Sequence, residues 1–68
     1  MVDTKALEVA MLRADIKKGD LAREIGISRA GLYKKMNNNG DFRVSEISVI
    51  WKVLRLSAPE IISIFFAQ

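Results

Sequence analysis

Apolar residues recur along this chain at the spacing of helical faces, and five such stretches can be marked out. The first runs from Val2 to about Ile16, with Leu7, Ala10, Met11 and Ala14 at i, i+3, i+4 and i+7. Asp3 or Thr4 can cap its start. A shorter stretch, Lys17 to Ile25, puts Leu21, Ala22 and Ile25 on one side, and its early Asp20 suits the positive end of a helix dipole. Gly26 follows at once, where a helix ends in a residue of positive φ that glycine adopts without a Cβ clash. Ile27 is then an apolar residue inside a turn. Ser28 can cap a third helix whose Leu32 and Met36 face inward, and the tract Asn37-Asn38-Asn39-Gly40 ends it as a loop.

Val44 to Leu54 carries Ile47, Ile50, Trp51 and Leu54, again at i, i+3, i+4 and i+7. Its Val and Ile content would suit a strand, but consecutive Val49-Ile50-Trp51 breaks strict alternation, whereas one helical face accounts for all four large residues. All four are therefore assigned to the core. Ser57-Ala58-Pro59-Glu60 reads as a capping box with proline in the first turn, opening a last helix that holds Ile61, Ile62, Ile64, Phe65 and Phe66. The pattern predicts a single all-α domain over residues 1–68, built as a compact five-helix bundle.

Composition narrows the chemistry. The 68 residues are 50% hydrophobic, enough for a small packed core, and include no cysteine and no histidine. Disulfides, thiolate or imidazole metal sites and the commonest general base are thereby removed. With no phosphate-cradling glycine loop and no paired carboxylates in evidence, neither an enzyme nor a cofactor is expected. No apolar run approaches the roughly 20 residues that span a bilayer, and the first residues do not resemble a targeting segment, so a cytoplasmic protein is expected. The net charge of +3 is modest, but its distribution is uneven. Between Lys17 and Arg43 seven basic residues face three acids, a local net charge of +4, while the remainder sums to −1. A positive middle third suits a polyanionic partner.

The segment Lys18 to Met36 has a specific arrangement. Ala22 is small where one helix crosses the next, Gly26 makes the sharp turn, Ile27 plugs the angle, and Leu32 and Met36 anchor the second helix while its other face stays free. With one helix before it and two after, this resembles the helix-turn-helix of Cro and phage-repressor proteins, over nearly the whole chain. Short single-domain regulators of phages and mobile elements of Gram-positive bacteria are the nearest look-alikes, ending in a similar apolar run, here Glu60 to Phe66. The resemblance implies a lambda-repressor-like fold with the helix-turn-helix in helices 2 and 3. It further implies sequence-specific binding of double-stranded DNA and a role as a transcriptional repressor. Such domains usually place Ser or Thr where Lys17 and Arg43 stand, so the second and fourth helices are expected to start without a side-chain cap. Gly31 inside the third helix costs about 1 kcal/mol relative to alanine.

By the same resemblance, Arg29, Ala30, Tyr33 and Lys34 meet base edges in the major groove. Arg29 leads, because a guanidinium can donate two bonds to guanine. Lys34 suits a phosphate as well as a base, and Tyr33 can instead pack on its own domain. Candidate phosphate contacts are Lys17, Lys18, Ser28, Lys35, Asn37, Asn38, Asn39 and Arg43. The last helix carries more large apolar residues than one face can bury, so some are expected to be exposed. Ile62, Phe65 and Phe66 could form a weak homodimer, especially on a pseudo-palindromic operator, or could pack against the first helix. The competing function is a protein-interaction module working through this apolar helix. No small-molecule ligand and no membrane partner are expected.

Overall fold

A computed structural model describes residues 2–37 and 41–66. Among them are five helices, α1 (Thr4–Ala14), α2 (Lys18–Ile25), α3 (Arg29–Asn37), α4 (Val44–Val53) and α5 (Ala58–Phe65), and no strand. The core draws on every helix: Leu7 and Met11 of α1, Leu21 and Ala22 of α2, Leu32 and Met36 of α3, Ile50 of α4, and Ile61, Ile64 and Phe65 of α5 are buried. Helix α2 packs on both α3 and α4, while α1 lies against α5.

Helix α1 and its cap stitch this arrangement together. Asp3 caps α1 by accepting a hydrogen bond from the Ala6 N–H at 3.0 Å. Its own N–H donates to the Ile64 carbonyl of α5 at 2.7 Å. The Thr4 hydroxyl donates to the Met36 carbonyl at 2.7 Å, satisfying one of the last carbonyls of α3. An ion pair between Arg13 and Glu60 adds a further α1–α5 link on the surface.

Three helices end in the same way. At the end of α2, Gly26 has φ 89°, and the N–H groups of Gly26 and Ile27 both reach back to the Ala22 carbonyl. Helix α1 ends on Asp15 at φ 57°, and α4 is followed by Arg55 at φ 53°, with Ile16 bonded back to Met11 and Leu56 to Trp51. These are left-handed caps. Glycine marks the first in the sequence; aspartate and arginine occupy the others at a conformational cost.

Two helix starts lack a side-chain cap, as expected, and each finds a partial substitute. Neither Lys17 nor Arg43 caps with its side chain, but the third residue of each helix reaches back: Glu46 Oε1 accepts from the Arg43 N–H at 2.8 Å, and Asp20 Oδ2 from the Lys17 N–H at a longer 3.4 Å. Half of a capping box thus replaces the missing Ser or Thr. At α5 the full box forms, with Ser57 and Glu60 bonded reciprocally.

Two core assignments are corrected. Trp51, expected inside, is 41% exposed. Glu46, Ile50 and Leu54 form the buried line of α4, and a residue one position after Ile50 is rotated by about 100°, onto the rim. Phe65, expected at an interface, is buried and meets Phe42 edge-on with ring centroids 5.5 Å apart. It shares the i, i+3, i+4 stripe of Ile61 and Ile64. Ile62 and Phe66 fall on the next stripe and are 58% and 59% exposed, so the expected surplus of apolar surface is present.

Candidate nucleic-acid interface

Helix α3 begins where Gly26 and Ile27 turn the chain. The Ser28 hydroxyl accepts a hydrogen bond from the Gly31 N–H at 2.9 Å, closing the first turn. A Cβ on Gly31 would lie only 3.1 Å from that hydroxyl oxygen. The glycine therefore gives the cap room.

With Leu32 and Met36 buried, the residues one step round the helix point outward. Arg29, Ala30, Tyr33 and Lys34 are all exposed, and their i, i+1, i+4, i+5 spacing sets them on one face. The structure brings together all four residues expected to meet bases. Tyr33 is the centre of a cationic cluster: Lys18 Nζ lies 5.2 Å and the Arg29 guanidinium carbon 6.0 Å from its ring centroid. Both contacts are within the range of a cation–π attraction. Tyr33 thus packs on its own domain through its ring while remaining open to solvent.

The residues expected at phosphates separate into free and occupied groups. Lys17, Ser28, Asn37 and Arg43 are exposed; the Ser28 hydroxyl is used as the cap of α3. Lys18 is partly buried, its ammonium 3.2 Å from Glu8 Oε2 on α1. Lys35 is committed inside the domain: Nζ donates to the Asp41 carbonyl at 3.0 Å and pairs with Glu46 Oε1 at 3.1 Å. It also lies 5.9 Å from the Phe42 ring. Lys35 is therefore a structural cation that joins α3 to α4, which corrects its place among the free phosphate ligands. Asn38 and Asn39 lie outside the described residues.

Glu46 was missed by the sequence reading. Burial pushes its carboxyl upward, but the Arg43 N–H and the Lys35 ammonium together outweigh that and hold it below the ordinary carboxylate value. The available signal was its position, three residues after an uncapped helix start. Glu8 was missed as well, and ten residues of separation from Lys18 across two helices left no local signal.

Between α1 and the starts of α2 and α3 lies an open groove of about 340 Å³, lined by Glu8, Met11, Leu12, Lys18, Arg29 and Tyr33 among others. Among the described residues no group of three His, Cys, Asp or Glu side chains is placed to hold a metal. No described helix is long and apolar enough to cross a membrane. A family model described as the Cro/C1-type HTH DNA-binding domain matches residues 6–66. No curated protein and no solved structure gave a match.

Proposed function

Because the chain belongs to the Cro/C1-type helix-turn-helix DNA-binding family, we propose that it is a phage-type transcriptional repressor that binds double-stranded DNA by sequence. Helix α3 enters the major groove and occludes a promoter. The observation that carries this reading is the outward face Arg29-Ala30-Tyr33-Lys34, one step round the helix from the buried Leu32 and Met36 and within the net positive segment Lys17–Arg43.

Arg29 supplies the base-discriminating contact through its two-pronged guanidinium. Its approach to the Tyr33 ring limits the rotamers it must give up on binding. Lys34 and Tyr33 meet the adjoining base or phosphate, and Ala30 packs against a thymine methyl. Lys17, Arg43 and the exposed Asn37 hold the duplex backbone, together with the amide groups at the start of α3.

The adjacent exposed side chains of Ile62 and Phe66 support a weak homodimer that assembles on a pseudo-palindromic operator. A protein partner docking on the same stripe is the second reading. The protein acts in the cytoplasm.

Selection of binders from a random pool of DNA duplexes at near-physiological salt tests the proposal. The expected result is an enriched pair of inverted half-sites about one helical turn apart. A single enriched half-site would keep sequence-specific binding and remove the dimer. Recovery of no sequence would remove the repressor reading.

A further inference from the structure

Lys35 of α3 and Lys18 of α2 already hold a carboxylate, but in different settings. The Lys35–Glu46 pair is nearly closed off, with side chains 22% and 11% exposed, and each partner has a further hydrogen bond to the backbone. The Lys18–Glu8 pair lines the open groove, with side chains 26% and 46% exposed. Among the described residues Lys18 is the one hydrogen-bond partner of the Glu8 carboxylate. Water and ions can therefore reach the second pair, and its carboxylate can be exchanged for another anion without breaking any other bond.

Glu8 stands on α1, outside the helix-turn-helix, yet its charge falls at the margin of the surface that holds Lys18, Tyr33 and Arg29. A phosphate that engages Lys18 must share the ammonium with this carboxylate or displace it, and in either case the carboxylate stays close by as a repelling charge. We propose that Glu8 is a built-in brake on DNA binding: an internal competitor for phosphate that keeps Lys18 on the Tyr33 ring and lowers affinity for any duplex, leaving discrimination between sequences to α3.

The inference rests on the DNA-binding reading and predicts a sign opposite to that of a structural ion pair. Losing a structural pair would loosen the surface and weaken binding. Losing a brake strengthens it.

The test compares wild type, Glu8→Gln, Lys18→Gln and the double variant on two duplexes of equal length, one carrying the enriched site and one scrambled, between about 50 and 200 mM salt. Unmasking one phosphate contact should make the slope of log affinity against log salt more negative by up to about 0.9, which near physiological salt is a tightening of roughly fivefold. Glu8→Gln should tighten both duplexes by a similar factor. In the Lys18→Gln background the same change should do little, since the cation that Glu8 masks is gone.

Unchanged or weaker binding by Glu8→Gln overturns the brake, as does equal tightening with and without Lys18, which would reflect only overall charge. Glu8→Met repeats the test with a second uncharged side chain should the glutamine variant fold poorly. If wild type binds neither duplex, the DNA-binding reading fails first and the brake with it; if wild type binds and Glu8→Gln does not tighten, the brake alone fails.

Discussion

The outward faces of α3 and α5 are both left uncovered by the same small core, yet they differ in kind. On α3 the exposed stripe is Arg29, Ala30, Tyr33 and Lys34, two cations and an aromatic ring, with the Arg29 guanidinium over that ring. On α5 it includes Ile62 and Phe66, and the residues between them, Ser63, Ile64 and Phe65, carry no charge. Each helix buries one stripe against the core and presents the adjacent one, so burial alone does not tell the two apart. The chemistry of the presented stripe does. A cationic stripe gains from a polyanion, and an apolar one gains from another protein surface.

The most disruptive way to break this comparison is to remove what holds α3 in place. Leu32 is completely buried, and Leu32→Ala should cost about 2–5 kcal/mol, most of the stability available to a domain of this size. Thermal unfolding followed by circular dichroism should show a large drop in midpoint, with DNA binding lost in parallel. A surface substitution behaves otherwise. Arg29→Ala should leave the melting temperature nearly unchanged while reducing the preference for the enriched duplex over a scrambled one by about 1–3 kcal/mol, roughly 5- to 150-fold. Competition binding measures that ratio.

The apolar stripe is sharpened by the converse experiment. Changing Ile62 and Phe66 together to serine should abolish any dimer seen by sedimentation at micromolar concentration and leave binding to an isolated half-site intact. Equal dimerisation by the double variant would assign self-association to another surface.

Smaller effects come from the ends of the helices. The Ser57 N–H, followed by the Arg13 guanidinium, lowers the carboxyl of Glu60 from 4.5 to about 2. A folded-state value below the unfolded one contributes stability that is present above pH 4.5 and is lost as pH falls towards 2. Glu60→Gln should flatten the melting temperature over that window, with a residual slope left by Glu46, whose carboxyl is lowered as well. Smallest of all is Gly31→Ala. The gain in helix propensity of about 1 kcal/mol is offset by crowding of the Ser28 cap, 3.1 Å from the new Cβ. The melting temperature should move by no more than a few degrees, roughly the shift of a change well under 1 kcal/mol.

The order of the helices and the turn at Gly26 were legible because local rules set them. Apolar spacing located the five helices, glycine marked the end of α2, and the Ser57–Glu60 pair marked the start of α5. Legibility failed where contacts between distant residues decide. The left-handed ends at Asp15 and Arg55 have no glycine to announce them. Trp51 and Phe65 exchanged their expected roles because a hydrophobic residue at the edge of a stripe can face either way, and only the neighbouring helices choose. At the candidate interface, the exposed face of α3 followed from the positions of Leu32 and Met36. The occupation of Lys18 by Glu8 and of Lys35 by Glu46 did not, since each pair joins two helices. Charge counting treated the basic residues as equivalent; the structure separates exposed cations such as Arg29 and Lys34 from those that already hold a partner.

The most direct test of α3 as the reading surface is isotope-filtered nuclear Overhauser spectroscopy on the complex with an enriched duplex. The account predicts contacts from Arg29, Ala30, Tyr33 and Lys34 to major-groove protons and thymine methyls, with none from Ile62 or Phe66. Contacts arising from α5 while the α3 side chains remain silent would contradict it.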